Sequence, residues 1–515
     1  MKEPVHDWER RLAGKPPVKN GFTSELERKV RERIRMNTTK RKSPLRAAAA
    51  GMSFVLLLGG GWLYRDDIEG LLRPAATSDV PAALSKDPLA DKAYRLKVQQ
   101  FEQMNTFEYY LKKPFVIRHP SVRMDMLNAS YDLAADPEKF EAWFDSEQPD
   151  FVQIPMNVYA KLAADGKLKP LDALIKEDRF DLGTLHAPLV DYLRQAGGSG
   201  ELYGLSADYG SSALYVNEDV FAAKGVPLPA GELTIGEILQ LAQRFEGTGV
   251  NGLSTADRSN TFAMAQLIGQ TTGLRTLTDA DGRLQATVDS DAWRKVWTEV
   301  ADGYNDGWIN QSKPIDYGKG SILMKDLAKQ DTFVLGQAAM AIKESYYYQN
   351  LETYEQEGVK TPNWSTVPIH VDASASNPDA FLNTQTVYAI NAASTQTDAA
   401  WELLRYVVGG SWRTGLDARN ILARQLMANK SVMNEEGSKH WQAFYDTKVD
   451  PVKAAKSMAL KSSSSYIKAA GLVYKLGGEA MDAVLKGTLT VDQALGEFQQ
   501  KLDVQLAGIG KEAEK

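Results

Sequence analysis

The chain has 515 residues, 43% apolar and 24% charged, the balance of an ordinary globular protein of about two to four domains. It has no cysteine. That excludes a disulfide framework, an iron–sulfur cluster, a cysteine zinc site, a thiol nucleophile and a lipid carried on an N-terminal cysteine. The net charge of −6 hides two opposed segments: residues 1–46 hold 14 Lys/Arg against 6 Asp/Glu, so a basic arm precedes an acidic body.

The arm contains one predicted helix. Ser24-Glu25-Leu26-Glu27 has the form of a capping box. Leu26, Val30 and Ile34 then recur every four residues among Arg28, Lys29, Arg31, Arg33 and Arg35. Such a helix lies on an anionic inner leaflet or docks on a cytoplasmic partner. Residues 47–64, AAAAGMSFVLLLGGGWLY, carry no charge. As a helix they cover about 27 Å, close to a thin bilayer core. Trp62 and Tyr64 fall where interfacial aromatics belong, and the basic side is cytoplasmic by the positive-inside rule. The arm is too long, and Arg65-Asp66-Asp67 too polar, for a cleaved signal peptide. The expectation is a single-pass anchor with an extracytoplasmic body and no nucleic-acid partner. Pro74, Pro81 and Pro88 mark residues 65–90 as a spacer.

The body reads as alternating strands and helices. Tyr94, Leu96 and Val98 alternate with polar residues as a strand, and residues 104–117 suit a helix. Val122, Met124 and Met126 alternate again. Asp136-Pro137-Glu138 opens a helix through Trp143, with proline in its first turn. Residues 150–154 form a short apolar strand, and Tyr159 to Gly166 a helix with Gly166 as C-cap. This β-α-β-α-β-α order predicts a doubly wound sheet, with ligands at the carboxyl ends of its strands. Residues 234–245 and 290–302 are amphipathic. Thr490 to Gln493 has capping-box form and opens a stripe of Val491, Leu495, Phe498 and Leu502 that faces a core.

Catalytic motifs are missing. His6, His119, His186, His370 and His440 are too dispersed for a His-pair metal site. Asp279-Ala280-Asp281-Gly282 predicts a hairpin turn, because a calcium loop centred on Gly282 would need ligands at Leu277 and Val288. Glu246-Gly247-Thr248-Gly249 lacks the Gly-Lys-Ser/Thr ending of a phosphate loop, and no G-x-S-x-G elbow occurs. No metal or cofactor is expected, and no enzymatic activity.

Six stretches resemble, in order, the extracellular solute-binding proteins of ABC importers, the group that includes maltose-binding protein. They are FVIRHPSVRM (115–124), PDFVQIPMNVYAKLAADGKLKPL (149–171), LYGLSADYGSSALYVNEDVFAAKGVPLP (202–229), GQAAMAIKESYYYQNL (336–351), VYAINAASTQTDAAWELLRYVVGG (387–410) and LKGTLTVDQALGEFQQKL (485–502). The lipid-bearing cysteine of the family is absent, and the segment 47–64 stands in its place. The resemblance implies an α/β, two-lobed periplasmic-binding-protein-like fold with hinge strands. Lobe one would span 91–215 and 369–412, and lobe two 216–368 and 413–515. It implies a carbohydrate ligand in the cleft and ABC permease subunits as partners; the alternative is a ligand-sensing receptor whose arm signals inside.

By position in the family pattern, Tyr346 and Tyr348 would stack on ligand, or else belong to the core. Asn157 would bind a sugar hydroxyl, or else cap a turn. Asp208 or Tyr209, in the first crossing, would touch ligand, and Glu344 and Asn383 are further candidates. Asn217 and Asp219 match the family but suit a structural turn.

Overall fold

The computed structural model describes residues 87–101, 107–254, 260–280, 283–310, 323–384, 386–410, 412, 426–432, 438–461 and 463–513. The arm 1–46, the apolar run 47–64 and the spacer as far as residue 86 lie outside the described residues. The chain divides after Leu84, and every described residue belongs to the second unit, Ser85–Lys515. No helix among the described residues is long and apolar enough to cross a membrane.

Strands β1 (Tyr94–Phe101) and β2 (Val122–Ala129) pair in parallel, from Tyr94 opposite Val122 to Phe101 opposite Ala129. Tyr94, Leu96 and Val98 are buried while Arg95 and Lys97 are exposed, as the alternation predicts. The connecting helix begins as a π-type turn, Phe107–Lys112, and continues as an α-helix over Lys113–Arg118. Pro114 has no amide hydrogen, so an α-helical bond is unavailable where the wider turn sits. Asp136 caps the helix Pro137–Glu147, accepting from the amides of Glu138 and Lys139 at 3.2 and 3.3 Å. β3 (Phe151–Ile154) joins β1 in parallel. The helix Met156–Ala164 follows. Gly166 then turns left-handed at φ +68, and the Lys167 amide reaches back to the Leu162 carbonyl at 2.9 Å.

After the short β4 (Gly204–Leu205) the chain passes into a second sheet through β5 (Ser212–Asn217). β6 (Asn251–Ser254) follows. The hairpin of β7 (Leu277–Ala280) and β8 (Arg283–Ala286) sets Ala280 opposite Arg283, where a turn rather than a calcium loop is expected. β9 (Ala338–Glu344) and β10 (Trp364–Val367) complete this sheet in the order β10-β5-β9-β6. β11 (Val387–Ile390) then returns to the first sheet, whose order is β2-β1-β3-β11-β4. β11 runs antiparallel to both β3 and β4. Sheet one is therefore mixed rather than the parallel, doubly wound sheet expected from its first three strands. The reason is that β11 enters from the other lobe.

Each sheet has its own core. Phe115, Phe140, Phe144, Phe151 and Tyr159 fill the first, and Phe262, Trp293, Trp297 and Phe498 the second. The final helix, Val491–Ala513, buries Leu495, Phe498 and Leu502, each side chain stabilising by about 2 kcal/mol. Thr490 and Gln493 form its capping box, with reciprocal bonds of 3.2 and 3.0 Å. Within the span 413–515 expected in lobe two, the helix Pro451–Lys461 packs on helices Met156–Ala164 and Ala187–Ala196 of the first core. The helices from Ser464 onward pack in the second.

Asn217 and Asp219 take structural roles. The Asn217 side-chain Oδ1 accepts from the Val220 amide at 3.1 Å, and its Nδ2 donates to the Phe333 carbonyl at 3.0 Å. Asp219 accepts from the backbone and side chain of Asn363 at 3.0 and 2.8 Å.

Candidate functional site

Strand direction locates the seam between the sheets. β4 runs parallel to β3, because both pair antiparallel with β11. The chain leaves β4 at the carboxyl edge of sheet one and enters β5 at Ser212, which pairs with Glu344 at the end of β9. The return leaves β10 at Val367, opposite Leu214, and enters β11 at Val387, opposite Ile154 at the end of β3. Both crossings thus join carboxyl edge to carboxyl edge. In α/β sheets that is where ligands bind, and a junction between lobes is a common pocket.

The crossings form a narrow ladder. Gly210 and Asn383 exchange backbone hydrogen bonds of 2.9 and 3.1 Å. The Tyr209 amide donates to the Leu426 carbonyl at 3.1 Å, and the Ala428 amide to the Ala207 carbonyl at 3.0 Å. Ser206 Oγ lies 2.8 Å from Thr384 Oγ1. A Cβ at Gly210 would come within 2.5 Å of Asn383 Oδ1, so a larger residue there would have to displace the Asn383 side chain. A few element-terminal residues between two packed cores are what a hinge needs.

Three of the expected ligand residues sit in this ladder. Asn383 donates from Nδ2 to the Asp379 carbonyl at 3.0 Å. Asp208 pairs its backbone with Met427, and its carbonyl accepts from Ser206 Oγ at 2.6 Å. Tyr209 is 4% exposed. Its ring stacks on His186 at 4.7 Å and meets Tyr445 edge-on at 5.8 Å, and burial pushes its phenol well above the usual range. Packing, rather than an open face, occupies that ring.

Glu344 and Tyr346 stand on the lobe-two wall. Tyr346 directly precedes the helix Tyr347–Gln356 and is 56% exposed, whereas Tyr347 beside it is buried. Glu344 reaches solvent, yet desolvation by the surrounding protein raises its carboxyl above the usual range. Tyr348 is half-buried. Its hydroxyl donates to Glu352 Oε1 at 2.5 Å, and its ring packs on Trp441 at 4.4 Å and Trp364 at 5.6 Å. On the lobe-one wall, Asn157 lies in the first turn of helix Met156–Ala164, just past the carboxyl end of β3, and is half-buried. Among the described residues no cluster of three or more His, Asp or Glu is placed to hold a metal ion.

The sequence pattern of the bacterial extracellular solute-binding proteins matches residues 136–411, more than half of the chain. The chain belongs to this family. Its members are extracellular solute-binding proteins, not enzymes. Solved structures share the two-lobed α/β fold. An extracellular solute-binding protein of family 1 from Alicyclobacillus acidocaldarius is similar with a TM-score of 0.57 and 14% identity, over 81% of this chain and 99% of that one. The sugar-binding protein MalE from Xanthomonas citri gives 0.53 and 16%, over 82% and 99%. A sugar transporter from Rhizobium etli in an open conformation gives 0.52 and 19%, over 79% and 98%. No curated protein sequence matches the chain.

One residue at the carboxyl edge of sheet one in this solute-binding protein escapes the sequence reading. Tyr131 follows the carboxyl end of β2, is 46% exposed, and stacks on Phe101 at 4.3 Å with an interplanar angle of 10°. Its signal is an aromatic placed directly after a parallel strand.

The hinge of the solute-binding protein also holds a titrating group. His186 is 3% exposed and donates its backbone amide to the Ala428 carbonyl at 2.8 Å. Desolvation, with the charge of Lys430, lowers its imidazole pKa to about 4. In the unfolded chain it titrates near 6.5. The unfolded state therefore takes up the proton first, so the neutral ring's contribution is whole above that pH and is lost as pH falls toward 4. The loss amounts to about 2 kcal/mol by pH 5. Urea unfolding at pH 7 and pH 5 should show this drop in the native protein and a much smaller one in His186→Phe. Equal drops in both would refute the assignment.

Proposed function

We propose that this chain captures a carbohydrate, an oligosaccharide in particular, between its lobes and delivers it to the permease of an ABC importer. Tyr346 carries the reading: it is a solvent-exposed aromatic residue just past the end of β9, at a seam where two carboxyl edges meet. Sugar rings present apolar C–H faces to aromatics and hydroxyls to polar side chains. Glu344 and Asn157 supply the polar partners. Asp208, Tyr209 and Asn383 act behind them as hinge residues, and Tyr348 braces the wall. Ligand favours closure by binding the closed form better. Two proteins of similar fold, MalE from Xanthomonas citri and the Rhizobium etli transporter, are described as sugar-binding or sugar-transporting.

Residues 47–64 anchor the protein as one membrane-spanning helix in this reading, with the arm inside and the body outside. Their uncharged run, Trp62, Tyr64 and the basic residues before them support it. The arm also supports a second reading, a receptor that reports binding to an internal partner; a pull-down with residues 1–46 that recovers only lipid would count against it. Titration calorimetry of the full chain against a panel of neutral and acidic glycans tests the main proposal. Saturable binding of one class is expected, and silence across the panel would refute it.

A further inference from the structure

The width of the seam bears on how long the bound solute is. The crossings sit at β11 and β4, while Tyr131 lies past the end of β2, the strand on the opposite border of sheet one. β1 and β3 separate β2 from β11, which makes three strand spacings, about 14 Å in all and longer than one hexose. Tyr346 follows β9, the direct neighbour of the crossing strand β5, so it belongs to the hinge side of the seam.

Tyr131 is built as a platform. Phe101, 7% exposed and part of the first core, covers one of its faces in nearly parallel stacking. The exposed area is therefore the opposite face and rim. Ser130 fixes the position by capping the short helix that Tyr131 opens, accepting from the Leu133 amide at 3.1 Å. Amides line the edge between Tyr131 and the hinge: Gln100 Nε2 donates to Asn128 Oδ1 at 2.9 Å, and Asn157 stands past β3. Amides both donate to and accept from hydroxyls. Asp132 beside Tyr131 and Glu344 on the other wall are carboxylates, which disfavours an anionic sugar.

We propose that Tyr131 is an outer sugar-stacking site, and that the solute is a neutral oligosaccharide of about three rings or more, spanning the strand edge from Tyr346 to Tyr131. This rests on the carbohydrate reading above. A single ring held near the hinge would not reach Tyr131, so its loss should be felt only by longer ligands.

Titration calorimetry of the full chain tests this, with neutral gluco-, manno- and xylo-oligosaccharides from monosaccharide to hexasaccharide and the matching uronic-acid oligomers. In the native protein, affinity should rise with length to the tri- or tetrasaccharide. Tyr131→Ala should weaken the tetrasaccharide about tenfold and change the shortest bound ligand less than twofold. Tyr131→Phe keeps the ring and should restore the length dependence. Binding of the short ligand also reports that the variant is folded. A native protein that binds glycans, with Tyr131→Ala weakening every length equally or none, overturns the outer site and leaves the carbohydrate reading standing. Uronic-acid oligomers bound as tightly as neutral ones overturn the class. Silence of the native protein toward every glycan refutes the carbohydrate reading and this inference with it.

Discussion

Tyr346→Ala is expected to weaken carbohydrate binding roughly thirtyfold, about 2 kcal/mol, while leaving the melting temperature near that of the native protein. Tyr346 is 56% exposed, so its truncation removes little buried apolar area. In the proposed reading it offers an exposed aromatic side chain beside Glu344, where the two lobes would close on a sugar. The two tyrosines after it are the controls. Tyr347 is buried with its hydroxyl 2.7 Å from Asp331 Oδ2, and Tyr348 is held by Glu352, Trp364 and Trp441. Tyr348→Phe should therefore change affinity less than twofold. Calorimetric Kd values for the two variants decide the matter; a silent Tyr346→Ala beside a disabled Tyr348→Phe would mean that the wall has been assigned to the wrong ring.

Gly252→Ala should destabilise the protein by at least about 3 kcal/mol. Gly252 lies in β6, under the helix Ile235–Gln243. A Cβ there would stand 2.0 Å from the Ala242 carbonyl oxygen and 2.4 Å from its Cα. Both obstacles are backbone, so no side chain can rotate aside; the helix must lift from the sheet. That would disturb the packing of Ile238, Leu239 and Ala242, all buried in the second core. Gly236, in the same helix, has nothing within 4 Å of its would-be Cβ. Gly236→Ala should be neutral or stabilising by up to about 1 kcal/mol. Urea denaturation of both variants measures the contrast, and a Gly252→Ala midpoint matching the native one would contradict it.

Local rules make many of the elements legible. Asp136 and Thr490 satisfy helix amides two or three residues away, so their caps stand in the sequence itself. The strict alternation of Tyr94 to Val98 reports one buried face. Other features depend on partners far along the chain. Val387-Tyr388-Ala389-Ile390 is buried throughout and fits any central strand; only its pairing with Phe151–Ile154 makes it antiparallel. Tyr209 is an aromatic in a crossing loop by sequence, but His186 and Tyr445 arrive from elsewhere to cover it. Of the three tyrosines from Tyr346 to Tyr348, the outward one is set by where the helix begins, at Tyr347. Tyr131 has only a weak sequence signal, an aromatic soon after a strand, and its place as a platform is set by Phe101 beneath it.

The central claim is that a sugar is gripped where the two carboxyl edges meet. A crystal structure of the protein with the glycan that binds it most tightly tests this most directly. The account predicts the sugar between the lobes, with a ring against Tyr346 and hydroxyls near Glu344 and Asn157. A glycan bound elsewhere, such as on the outer face of lobe one by Arg95, Asp125 and Gln396, with the seam closed to it, would contradict the account.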